Sequence, residues 1–198
     1  MKCLKGLLVK AIGLLIIFTV LCGGMYPLVV TGISQVAFKE KANGSIIEVN
    51  GKKYGSELLG QQFTGEQYMW GRIMNSDTST FKDEQGNKLM YATPSNLSPA
   101  SESYEKLVSE RVAYLKQYAG DLDKIPVDLV TCSGSGLDPH ISIAAASYQV
   151  SRIAKVRGIE KSVVEDAITQ ATTEAFLGVF GEPTVNVLKV NLILDGVL

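Results

Sequence analysis

Twenty consecutive residues without a charge, Ala11–Val30 (AIGLLIIFTVLCGGMYPLVV), constrain this chain more than any other feature. At about 1.5 Å of rise per residue the run is roughly 30 Å long as a helix, which matches the hydrocarbon thickness of a bilayer. Lys2, Lys5 and Lys10 stand on its N-terminal side. Basic residues flanking a membrane helix favour the cytoplasmic side. Residues 1–10 are therefore expected in the cytoplasm, 11–30 in the bilayer as a single pass, and 31–198 beyond it as one extracytoplasmic domain. A cleaved secretory signal has the same lysine-then-apolar layout, and Cys22 and Gly24 give it a small-x-small pattern. The apolar run nevertheless continues through Met25-Tyr26-Pro27-Leu28-Val29-Val30, past the length of a signal core, which favours a retained anchor. Gly23, Gly24 and Pro27 are poor helix formers, but small residues let a neighbouring helix come close, so this face is a candidate for helix packing.

The rest of the chain has the make-up of a globular domain. Of 19 basic residues, three precede the apolar run, leaving 16 against 20 acidic ones, a balance of −4. Nothing in that balance attracts nucleic acid or an anionic membrane face. The three cysteines, Cys3, Cys22 and Cys132, have no metal-ligand spacing and fall in different compartments on the topology above, which excludes pairing within the chain.

Coarse patterning predicts a mixed fold. A helix is expected to leave the membrane over Thr31–Ala42, stopped by Asn43-Gly44. Residues 45–54 read as a hairpin turning at Asn50-Gly51, a dipeptide suited to two positive φ angles. Residues 71–98 read as a long polar loop. Ser98-Pro99 looks like the start of a helix with Tyr104, Leu107, Val108, Val112, Leu115 and Tyr118 along one stripe, ending near Gly120. Val127–Thr131 is a strand candidate. Further helices are expected from Ser142 to Arg157, stopped by Gly158, and from Lys161 to Phe176. A turn at Gly181-Glu182-Pro183 leads to a closing strand over Val185–Leu194. Helices and strands that do not strictly alternate imply an α/β (α+β) fold, with a small mixed sheet-and-helix domain after one transmembrane helix.

The densest chemistry lies in Pro126–Ser142, PVDLVTCSGSGLDPHIS, which holds the single histidine. Three readings are open. In a tethered hydrolase Ser133 or Ser135 is the nucleophile, His140 the base and Asp128 or Asp138 its orienter. The first glycine of a G-x-S-x-G elbow is missing. In an anion cradle Ser133, Gly134, Ser135 and Gly136 present backbone amides near a helix start, without the Gly-Lys-Ser/Thr of a P-loop. In a structured turn the serines and aspartates cap backbone amides, and His140 bonds locally.

Blocks of sequence in a fixed order also resemble a known family. They are Met25-Tyr-Pro-Leu-Val-Val-Thr-Gly32 with Gln35, Gly55-Ser-Glu-Leu-Leu-Gly-Gln-Gln-Phe63, Pro126–Ser142, Gln149-Val-Ser-Arg152, and Gly181-Glu-Pro-Thr-Val-Asn-Val-Leu188. Together they resemble the C subunit of the Kdp-type potassium-transporting ATPase over essentially the whole chain. Departures from the family pattern fall at Ile73-Met74, Tyr91–Pro99, Ile143 and Thr184. The resemblance implies an accessory, non-enzymatic subunit in a prokaryotic cell membrane. Its implied partners are a potassium-binding, channel-like subunit and a P-type ATPase subunit, besides the bilayer. The implied roles are assembly and catalytic chaperoning that raises the partner's affinity for ATP. Gln149 and the Ser133–Gly136 stretch, with Asp138 and His140, are the implied nucleotide or interface residues; no stably bound cofactor is implied. The residues agree with an accessory role. One helix cannot ring an ion path, and the chain has no Asp-Lys-Thr-Gly phosphorylation motif and no Thr-Val-Gly-Tyr-Gly filter.

Overall fold

The computed structural model describes residues 2–118 and 124–198. The expected helix end near Gly120 lies outside them. The chain divides into two compact units, the first ending at Ile46 and the second beginning at Ile47.

The first unit is a long helix. Helix α1 (Lys2–Val20) passes into one π-helical turn, Leu21–Met25, and on into α2 (Tyr26–Ala37). The wide turn has a local cause. Pro27 has no N–H to give and its ring crowds the carbonyl four residues back. A π turn, closed by Tyr26 N donating to Leu21 O, takes up that misfit without breaking the rod. Gly6–Ala37 is long and apolar enough to cross a membrane, with mean hydropathy 2.3, and none of that window is buried within the protein. A short helix α3 (Lys39–Ala42) follows, offset at Phe38, so the expected Thr31–Ala42 helix is continuous with the anchor and broken near its end.

The second unit is the mixed domain. Strands β1 (Ile46–Val49) and β2 (Lys52–Ser56) form the expected hairpin, with Asn50 and Gly51 at φ +52° and +77°. Residues 71–98 are not a loop throughout: β3 (Ser76–Lys82) and β4 (Lys88–Ala92) pair antiparallel. Their polar, largely exposed faces hide the strand period. Asp83 closes the turn by accepting from the amides of Gln85 and Asn87. Helix α4 (Glu102–Tyr118) starts later than expected, because Ser101 rather than Ser98 caps it, taking Tyr104 N at 3.2 Å. The strand expected at 127–131 is a 3-10 turn, Val127–Leu129.

A three-stranded antiparallel sheet in the order β5-β7-β6 organises the C-terminal half. Its strands are β5 (His140–Ser142), β6 (Thr172–Thr173) and β7 (Thr184–Asn186). Ser142 caps α5 (Ile143–Ser147) by accepting from Ala145 N. After a break at Tyr148-Gln149 the helix resumes as α6 (Val150–Arg157), stopped as expected at Gly158. Helix α7 (Lys161–Gln170) ends six residues before Phe176, because Thr172-Thr173 joins the sheet. The closing stretch is mostly helix rather than strand: α8 (Val187–Leu194) begins where Asn186 Oδ1 takes Lys189 N at 3.0 Å. Met69, Trp70, Leu115, Ile141, Ile153, Val164, Val185 and Val190 form the centre of the core. The fold is the α/β (α+β) class expected.

Candidate functional site

The Pro126–Ser142 stretch closes on itself. Ser133 and Ser135 face each other, Oγ to Oγ 3.2 Å; Ser133 Oγ accepts from Gly136 N at 3.0 Å and Ser135 Oγ from Leu137 N at 3.2 Å. Asp138 Oδ1 accepts from His140 N at 2.9 Å and lies 3.6 Å from the His140 ring at Nδ1. The other ring nitrogen is 3.5 Å from Asn186 Nδ2. Asp128 takes Ser142 N at 2.8 Å and pairs with Arg72 at 3.5 Å. Flanking segments tie the loop down: Gly60 N donates to Leu137 O at 2.7 Å and Asn75 N to Gly136 O at 3.0 Å. These are the backbone-capping contacts that serine and aspartate make in turns.

A nucleophile and its base need to share a hydrogen bond. Among the described residues no such bond joins His140 to Ser133 or Ser135, and both hydroxyls are engaged with the loop's own amides. We expect His140→Ala to change stability by about 1 kcal/mol or less, since the ring is a third exposed and its contact with the Asp138 carboxylate is long, at 3.6 Å. Thermal unfolding of the detergent-solubilised chain, read from Trp70, tests this; a loss several times larger would give the ring a role these contacts do not contain.

A second constellation lies deeper, where residues 65–71, a turn closed by Tyr68 N donating to Gly65 O and the irregular stretch after it, run between α4, α6 and α8. Seven successive carbonyls are each taken by a side chain. Trp70 Nε1 reaches Gly65 O at 2.9 Å; Arg152 takes Glu66 O and, at 3.0 Å, Tyr68 O; Arg157 Nε takes Gln67 O at 2.7 Å. Asn191 Nδ2 takes Met69 O at 3.0 Å, Gln149 Nε2 takes Trp70 O at 3.0 Å, and Arg111 takes Gly71 O at 3.2 Å. Two of these groups work in both directions. Asn191 Oδ1 accepts from Met69 N at 2.7 Å and Gln149 Oε1 from Trp70 N at 2.8 Å. Each side-chain amide thus imitates the neighbouring strand that Met69 and Trp70 lack, which a buried backbone requires.

Gln149 has no capacity left over. Its two N–H groups go to Trp70 O and Ala145 O, and its oxygen accepts from Trp70 N and from Arg152 at 2.8 Å. Gln149 is 2% exposed. Arg152 lies over the Trp70 ring, 3.6 Å from its centroid, where cation–π attraction adds to the hydrogen bonds. Burial pulls its guanidinium down to about 10, opposed by Tyr114 and Glu66, and it stays charged at neutral pH.

Ser133, Gly134, Ser135, Gly136 and Asp138 therefore share one loop that leads into His140 at the start of β5, while Gln149 belongs to the buried clamp. Gly23, Gly24 and Pro27 lie in the long helix, where a Cβ at either glycine would meet nothing within 4 Å, leaving that face flat. The clamp residues Arg111, Arg157 and Asn191 were not singled out from the sequence. The usable signal was Asn191, a polar residue at a core position of an apolar closing stretch. Of the residues singled out from the sequence, Asp138 borders a narrow crevice. The crevice beside Asp138 and Leu59–Gln61 holds about 10 Å³, roughly the room for one water. A wider groove of about 720 Å³ along α4, lined by Tyr104, Val108 and Val112, contains none of the expected residues. Among the described residues no three His, Cys, Asp or Glu side chains gather as a metal site.

Fold and site together define a class: a small α/β domain, stitched internally by side-chain hydrogen bonds, carried on one bilayer-length helix. Residues 8–196 match the family model described as KdpC, K+-transporting ATPase, c chain, and the chain belongs to that family. It is similar to potassium-transporting ATPase KdpC subunits of Clostridium perfringens (63% identical over 191 residues, 96% of each chain) and Clostridium botulinum (60% over 200 residues, all of each chain). A Geobacter sulfurreducens protein of the same name is 46% identical over 186 residues, covering 93% of this chain and 95% of that one. The chain is thus a KdpC-type subunit of a potassium-transporting ATPase, with one candidate membrane helix near its N-terminus.

Proposed function

We propose that this subunit is non-catalytic and acts by assembly. On this reading it anchors beside the channel-like, potassium-binding subunit, presents a rigid domain on the extracytoplasmic face of a prokaryotic cell membrane, and thereby supports the P-type ATPase subunit. The observation that carries it is the inward engagement of the polar residues that could have done chemistry. Gln149 has its hydrogen bonds satisfied inside the domain, and Ser133, Ser135 and Asp138 cap their own loop. Any raising of the partner's ATP affinity would then pass through contact between subunits, not through Gln149 reading the nucleotide. The flat Gly23-Gly24-Pro27 face, widened by the π turn, supports packing of the anchor against a partner helix.

Deleting the subunit is expected to abolish uptake at limiting potassium and to leave its partners unassembled in mild detergent. Unchanged uptake and intact assembly would overturn the reading. Protease added to sealed, right-side-out cells should remove residues 31–198 from the outside. A chain that survives until lysis would reverse the orientation.

A further inference from the structure

Between β6 and β7 the chain makes a tight tip at residues 175–181. Phe176 N donates to Phe180 O at 2.8 Å and Phe180 N to Phe176 O at 2.9 Å, with Leu177 and Gly178 at the turn. The base is fixed, because Thr172 pairs with Val185, which is fully buried. The tip is the reverse. Phe176, Leu177, Val179 and Phe180 are 72%, 76%, 77% and 66% exposed. Four large apolar side chains on one ordered turn form a patch of the kind that marks an interaction site.

Two further observations say what covers it. Leu177 holds φ +54°, a left-handed conformation that strains a branched side chain and that glycine or asparagine would adopt more easily. Its side chain is largely exposed, so the fold gains little from leucine there. A recurring reason to keep strain of this kind is contact with something else. The tip's charge then decides between lipid and protein. From Ser162 to Leu188 there is no lysine or arginine, and Glu174 and Glu182 flank the apolar residues. Segments that enter an anionic membrane surface are rimmed by basic residues; this one has the opposite sign. Permanent protein interfaces, in contrast, are built around aromatic anchors seated in pockets.

We propose that the 176–180 tip is a docking knob that seats in an apolar, base-rimmed pocket on another subunit of the potassium-transporting ATPase. This rests on the accessory-subunit reading and specifies one of its contacts. The test uses the full chain expressed with its complex. With the photo-crosslinker p-benzoylphenylalanine at Val179, illumination should join the chain to a partner subunit at a peptide that mass spectrometry places beside Lys or Arg. Adducts with lipid alone, or none in a complex that purifies intact, overturn the proposal. The double variant Phe176→Ser, Phe180→Ser should lower retention of the subunit in high salt by roughly tenfold or more, with the near-UV signal of Trp70 unchanged. Full retention overturns the proposal; if that variant loses its Trp70 signal, the crosslink, made with both phenylalanines present, decides. A parent chain that does not co-purify at all sinks the accessory-subunit reading and the knob with it. A parent that co-purifies alongside an equally retained double variant sinks the knob alone.

Discussion

Gln149→Leu is expected to destabilise the mixed α/β domain by about 4 kcal/mol, lowering its unfolding midpoint by roughly 10–15 °C. Leucine fills most of the volume, so packing loss is a small part. The loss comes from what is left behind: Trp70 N–H and C=O, the Ala145 carbonyl and one N–H of Arg152 all lose a partner. Each buried group without a hydrogen bond costs about 1–3 kcal/mol. Gln149→Glu is a milder case. It keeps an acceptor for Trp70 N and pairs a charge with Arg152, but withdraws both donors, so its loss should be about half as large. Near-UV circular dichroism of the full chain in detergent, dominated by the single Trp70, reads the midpoint. A midpoint within about 3 °C of the parent would show that the clamp does not hold this segment. The same pair separates two roles for Gln149. A residue kept to read a ligand loses affinity and leaves the midpoint alone, whereas a clamp residue moves the midpoint first.

How much of this was legible beforehand depended on whether a residue's role lay in local pattern or in long-range pairing. The bilayer-length helix, the Asn50-Gly51 hairpin, the Ser142 cap and the Gly158 stop are local, and the structure has each where expected. Val185–Leu194 read as a strand because apolar residues alternate at its start. The missed signal was Asn186, which serves as the last residue of β7 and also as the cap of α8. Residues 71–98 read as a loop because a hairpin exposed on both faces has no apolar alternation to detect. The clamp was beyond reach for a different reason. Asn191 meets Met69 across 122 positions and Gln149 meets Trp70 across 79, so no window of sequence contains both partners. Gln149 stands out in the sequence only through the family resemblance, which implies a nucleotide or interface role and carries no information about the Trp70 backbone it binds.

The loop's own glycines provide the second large effect, because Ser133-Gly134-Ser135-Gly136 contains two glycines in different circumstances. Gly136 has φ +74°, and a Cβ there would lie 2.3 Å from Thr93 O and 2.8 Å from Asn75 O. Those carbonyls cannot easily retreat. Asn75 N donates to Gly136 O, Thr93 N donates to Asn75 O, and the Asn75 side chain in turn holds Thr93 O at 3.0 Å. Gly136→Ala should therefore cost about 3 kcal/mol, of which the left-handed backbone accounts for about 1 and the forced separation from residues 75 and 93 for the remainder. Gly134 is different: a Cβ there meets nothing within 4 Å, and Gly134→Ala should be neutral to within about 0.5 kcal/mol. Thermal unfolding measures the two costs, and hydrogen exchange at the Asn75 and Thr93 amides locates the first. The contrast also bears on function. A phosphate cradle needs its backbone open to a ligand along the loop, so Gly134→Ala would impair it while leaving stability untouched. If the loop's purpose is to brace the β3–β4 hairpin against β5, only Gly136 is sensitive, and equal costs at the two positions would remove that account.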